Sequence, residues 1–235
     1  MMRNILLLLL TPFYTACAAQ NKTYSSRLEY SLKGAVKEVN TYGCVASNDN
    51  IPKDTTGFLS KFTMTFDEPG NALETNNIYS PLTPGGITPK SLTIYSGTGK
   101  NMSYKLLTAL EAGKEKEGDY QYVWQNEYAY KIINKADTTS WQLITLDKDF
   151  RMIKMVTESD SFKAVDVRET IYKNGRIAKV ITRSTDVSNG RENSYLSIWV
   201  VKEYDKHDNP SLLYIYDHAD EQELKAVVFK RYQYY

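Results

Sequence analysis

Apolar and polar residues alternate along most of the chain beyond residue 60. Phe62, Met64 and Phe66 interleave with Thr63 and Thr65, a period of two that marks a half-buried strand. Similar stretches recur at Gln121–Trp124, Glu127–Ile132, Leu143–Leu146, Met152–Val156, Ile177–Ile181, Trp199–Tyr204, Leu212–Tyr216 and Ala226–Phe229. Helical spacing is scarce. Ser103 to Lys116 carries it through Leu106, Ala109, Leu110 and Ala112, although Leu106-Leu107 equally suits the end of a strand. Pro81, Pro84, Pro89 and the pair Gly85-Gly86 exclude regular structure between Ser80 and Lys90 and predict a long loop. The pattern predicts an all-β fold, an antiparallel sheet of successive β-hairpins with few or no helices. That sheet is either open and twisted or a partly closed barrel, and residues 31–235 form it as a single domain.

The nineteen tyrosines fit this picture, because a ring with a polar tip suits a sheet that has one wet face. Four segments between strands are alike: Phe66-Asp67-Glu68-Pro69-Gly70-Asn71, Leu146-Asp147-Lys148-Asp149-Phe150-Arg151, Tyr172-Lys173-Asn174-Gly175-Arg176 and Tyr204-Asp205-Lys206-His207-Asp208-Asn209. Each places a large apolar or aromatic residue before an Asp (Lys173 in the third), then turn formers, then Asn or Arg. Asp after a strand accepts backbone N–H bonds within the turn, and glycine supplies a positive φ. The unit is a hairpin, and its irregular spacing argues against a solenoid of fixed period. These segments resemble YD-type (RHS-like) repeats, and Leu32 to Val39 is similar to the start of exported lipoproteins that carry such hairpins. The resemblance implies an extended β scaffold without catalytic groups of its own.

Before the strands lies a different texture. Arg3 is the only charge ahead of the apolar run Ile5–Leu10, and Tyr14-Thr15-Ala16 leads into Cys17. A positive tip, a short apolar core and a small-residue exit form an export signal, and the run is too short for a membrane span of about 20 residues. A cysteine at that place resembles the acylated cysteine of bacterial lipoproteins. The implied organisation is a signal peptide over residues 1–16, lipidation at Cys17, a polar tether over 17–30 and the β domain beyond. If cleavage instead follows Ala18 or Ala19, Cys17 leaves with the signal. The resemblance places the protein in the cell envelope, as an outer-membrane lipoprotein facing the periplasm or the cell surface.

Losing Arg3 with the signal leaves 28 basic and 28 acidic side chains. A balanced chain has no general pull toward nucleic acid, so the expected partners are the membrane, through acylated Cys17, and a protein or glycan. Cys44 is the only other cysteine, so no internal disulfide is available, and the residue reads as small and buried.

Catalytic signatures are weak. His207 and His218 each sit among acids, but as the turn and the far end of one hairpin they are about 35 Å apart at ~3.3 Å per residue, so no metal site is expected. Ser96 to Lys100 reads as a glycine turn between strands and lacks the spacing of a phosphate loop. No serine-nucleophile elbow or zinc motif is present, and neither a catalytic residue nor a cofactor is expected. Trp124, Trp141 and Trp199 are candidate ligand-stacking aromatics, against the commoner role of filling a core. The function expected is a non-enzymatic binding or scaffold role in the envelope. An integral outer-membrane β-barrel is the alternative, and an envelope hydrolase acting on glycan or peptide the third reading. The barrel is disfavoured because Trp199 to Tyr204 places charges, Lys202 and Glu203, on both faces of one strand.

Overall fold

Where residues alternate between apolar and polar, the chain is extended and paired. The structure, a computed structural model, describes residues 22–80, 88–111, 114–188 and 190–235. Cys17, the signal segment and most of the Ser80–Lys90 loop lie outside the described residues. A single turn of helix, α1 (Ser26–Glu29), precedes the strands β1 (Val36–Val45), β2 (Ser60–Phe66), β3 (Ala72–Tyr79), β4 (Lys90–Thr98) and β5 (Asn101–Glu111). Next come β6 (Lys114–Asn126), β7 (Ala129–Asn134), β8 (Trp141–Leu146), β9 (Met152–Ser159) and β10 (Phe162–Lys173). The series ends with β11 (Arg176–Ser188), β12 (Arg191–Tyr204), β13 (Pro210–Tyr216) and β14 (Leu224–Tyr234). The expected all-β hairpin sheet is therefore observed. The helical option for Ser103–Lys116 gives way to β5 and β6, because Leu107 pairs with Leu92 on one side and Glu117 on the other.

Each strand pairs antiparallel with its sequence neighbours, and β1 pairs with β14, so the sheet closes into a fourteen-stranded barrel. Closure runs from Val36 opposite Tyr234 to Val45 opposite Ala226, and it removes the edges that an open sheet would expose. Alternation then has a fixed meaning. Val39, Met64, Thr75, Thr93 and Leu106 are cross-strand partners in succession and share the inner face. Their neighbours face out, and ion pairs dress that outer wall: Lys105 with Glu117 (2.9 Å), Lys163 with Glu158 (3.1 Å) and Arg183 with Glu169 (3.3 Å). One outer patch is dry. The segment after β1 folds back over β13 and β14, burying Cys44, Ala46, Leu224 and Val227. Asn48 ties it down by accepting from the Leu224 N–H (3.0 Å) and donating to the Gln222 carbonyl (2.6 Å). Burial also pushes the Cys44 thiol pKa up.

Three of the four like segments are the same five-residue turn. In each, the N–H of the leading Asp donates to the carbonyl of the fifth residue at 2.9 Å, and a carboxylate oxygen of that Asp accepts the fifth residue's N–H at 2.6–2.9 Å. The fourth residue has positive φ: Gly70 at 106°, Phe150 at 62° and Asp208 at 65°. The segment around Asn174-Gly175 is different, a two-residue turn with both φ positive (51° and 73°), the arrangement that matches strand twist. The fifth residue reaches beyond its own hairpin. Asn71 accepts from the Gly99 N–H (2.7 Å), Arg151 donates to Tyr172 Oη (2.8 Å), and Asn209 exchanges bonds with both backbone groups of Lys33 (2.8 and 2.9 Å).

All these turns lie at the barrel end where β1 begins, and the chain before β1 docks there as a plug. Residues 22–30 belong to the stretch expected as a tether, yet Tyr24 and Ser26 are buried. Arg27 holds the turn after β2, its N–H on the Gly70 carbonyl (3.0 Å) and its guanidinium on the Glu68 carbonyl (2.6 Å). A Cβ on Gly70 would stand 2.5 Å from Arg27 Nε, whereas one on Gly175 would meet nothing within 4 Å. Gly70→Ala is therefore expected to lower unfolding free energy by about 1–3 kcal/mol, and Gly175→Ala by only about 1 kcal/mol. Urea titration of the two variants checks the order.

Candidate functional site

The inner wall is filled unevenly. On the β4–β8 side, tyrosines and the plug occupy the space. Tyr122 stacks on Tyr130 and Tyr104 on Tyr120, each at 4.7 Å between centroids. Tyr24 meets Trp124 edge-on at 4.9 Å, with Phe150 beside it. The opposite side, formed by β9–β14 with β1 and β2, leaves a cavity of about 560 Å³. Tyr30, Ser31 and Leu32 of the plug contribute to its lining, and Phe62, Met155, Val180, Trp199, Leu213 and Tyr232 form apolar wall. Among them stand Arg168 and Lys230, while Asp166 is the one carboxylate of the lining; Lys154, next to Met155, turns its side chain to the outer wall with Val167 and Arg183.

Packing explains how charged groups come to face inward. Lys230 lies opposite Thr41 and Arg168 opposite Thr182, so hydroxyls share the wall with them. Tyr30 exposes 44 % of its surface and lines the cavity. Burial pushes the Tyr30 hydroxyl pKa well above the ordinary tyrosine range. Burial, and secondarily the Arg168 charge, brings the Lys230 ammonium pKa down to about 8. Burial also lowers the Arg168 pKa, against the opposing pull of Tyr30, Asp166 and Glu29. Asp166 accepts a hydrogen bond from Ser184 Oγ. Among the described residues, no carboxylate lies within ion-pair distance of Arg168 or Lys230.

Beneath the cavity, Glu29 anchors the plug. It accepts from Tyr24 Oη at 2.7 Å and from Tyr130 Oη at 2.9 Å. Desolvation raises its pKa, and the two phenol bonds and Arg168 oppose that rise. Trp124 Nε1 is buried here without a hydrogen-bond partner among the described residues, and Lys100 Nζ sits 4.5 Å from that ring's centroid.

The structure separates the three candidate tryptophans. Trp199 lines the cavity, Trp124 packs into the plugged side, and Trp141 lies on the outer wall with Lys131 Nζ 4.1 Å from its ring. Strand parity sends Trp141 to the opposite face from the other two, so the three share no one surface. His207 lies in the turn after β12 against the Tyr234 ring (4.0 Å), and His218 lies past β13. Among the described residues no cluster of His, Cys, Asp and Glu could hold a metal ion. Sequence reasoning missed Glu29, Arg168 and Lys230. Parity carried the signal for the last of these, since Lys230 shares a face with Val228 and Tyr232 in an otherwise apolar run.

The chain matches no family model, no curated protein and no solved structure.

Two outcomes follow from this geometry. Glu29→Ala leaves two buried phenols without their acceptor and is expected to cost about 1–3 kcal/mol of stability, with Glu29→Gln milder; urea unfolding measures both. Lys230 is expected to titrate near pH 8, ahead of the exposed lysines, in NMR spectra of reductively ¹³C-methylated protein, and Lys230→Met removes that resonance. Between that pH and the ordinary lysine value of 10.5, the unfolded chain holds the extra proton. The Lys230 contribution to stability therefore rises with pH across this window.

Proposed function

We propose that this protein is a lipid-anchored binding protein of the cell envelope, without enzymatic activity, that holds a small ligand inside its barrel. The observation carrying the reading is the cavity. Its volume of about 560 Å³ falls in the range of small-molecule sites, which are largely apolar with a few convergent polar groups. The plug closes the end where β1 begins and contributes Tyr30, Ser31 and Leu32 to the cavity lining. A single carboxylate in the lining, Asp166, gives no support to hydrolysis by paired acids.

The outer wall supports a barrel standing in water. Lys61, Glu74, Lys105, Lys131, Glu169 and Arg183 all face outward by pairing. On a lipid-facing wall each Arg or Lys near the midplane would cost about 2–4 kcal/mol. The membrane attachment in this reading comes from Cys17 alone. Metabolic labelling with a fatty-acid probe is expected to mark the wild type and to leave Cys17→Ser unmarked. Carbonate extraction is expected to release Cys17→Ser from membranes. Retention of that variant in the pellet would instead establish an integral barrel.

A further inference from the structure

The cavity combines two features that together specify a ligand class, and this step rests on the binding reading above. Its wall is mostly apolar, with Trp199, Met155, Phe62 and Leu213 supplying broad hydrocarbon and aromatic surface. Its charged groups are unbalanced: Arg168 and Lys230 face one carboxylate, Asp166, and that carboxylate already accepts from Ser184. Burying a cation without a counter-charge is costly. Here two stand within reach of each other's field, since the Arg168 charge acts on Lys230. Glu29 offsets part of the Arg168 charge from below, but its two phenol donors commit it to the plug.

We propose that the barrel binds an anionic amphiphile, a carboxylate- or phosphate-headed molecule with an apolar tail, its head held by Arg168 and Lys230 and its tail lying against Trp199 and Met155. Arg168 offers a planar fork of donors to such a head and Lys230 a compact ammonium. The head supplies the counter-charge that the wall lacks. The tail displaces water from an apolar surface, which favours binding in proportion to the area covered. A free inorganic anion satisfies only the first requirement, and a neutral lipid only the second.

Isothermal titration of the purified protein with dodecanoate, dodecyl phosphate, dodecanol, acetate and inorganic phosphate tests this directly. At least one of the two anionic dodecyl compounds is expected to bind ten-fold or more tighter than dodecanol, and neither acetate nor inorganic phosphate is expected to bind measurably. Which dodecyl anion binds better separates a carboxylate head from a phosphate head. Lys230→Met, checked for native circular dichroism, is expected to weaken the preferred anion about ten-fold and leave dodecanol unchanged. Trp199 fluorescence is expected to change with the same midpoint, and Trp199→Leu to abolish that change. Equal affinity for dodecanol and the dodecyl anions in the wild type would overturn the anionic head while leaving the binding reading in place. Binding of acetate or phosphate as tight as that of the dodecyl anions would overturn the tail. No binding of any dodecyl compound would remove both the inference and the reading beneath it.

Discussion

Pairing between β1 and β14 gives this sheet an inside. Without it, each strand would still alternate apolar and polar residues, but neither face would be enclosed. With nine residue pairs joining strands almost two hundred residues apart, one face becomes a lumen and the other an outer wall. The energetic consequences divide accordingly. Outward charges such as Arg183 and Glu169 stay solvated, and their ion pair adds little to stability. Inward charges such as Lys230 lose water, and their protonation equilibria shift because of it.

A fourteen-stranded barrel is wider than its own side chains can fill; eight strands already bring the interior to the limit of side-chain packing. The chain meets that geometric demand in two ways. Large aromatic residues crowd the β4–β8 side, and residues 24–32 enter from the end where β1 begins. The plug is held by polar contacts of high specificity: Glu29 between two phenols, Arg27 on the Glu68 and Gly70 carbonyls, and Asn209 on Lys33. What stays unfilled is the cavity, so the site follows from the barrel's width combined with where the aromatic residues are spent. The turns take part in this as well, since Asn209 and the turn after β2 are both docking points for the plug. Local turn chemistry and the flooring of the cavity are thereby one structural device.

Much of the local structure was legible in the chain. The stretches Phe62–Phe66, Leu143–Leu146 and Leu212–Tyr216 fall within observed strands, because a period of two is a strong signal wherever one face is buried. The Asp-to-Asn turns were legible because their hydrogen bonds are local. Other parts were hidden. β3, with its polar run Glu74-Thr75-Asn76-Asn77, carries little alternation and is a strand because β2 and β4 pair with it on both sides. The plug was hidden because residues 17–30 read as a polar tether. Its burial depends on partners such as Tyr130, 101 positions away from Glu29.

The sequence by itself determined that this chain makes antiparallel hairpins, where the tight turns fall and which residues of each strand share a face, since all three depend on contacts within a few residues. Tertiary structure alone decided that the hairpins close into a ring, that the face bearing Lys230 and Arg168 is the enclosed one, and that a cavity remains beside the plug. A two-residue period states that two faces differ without saying which becomes the inside. That choice came with closure, which curled the sheet around the face that bears Lys230 and Arg168.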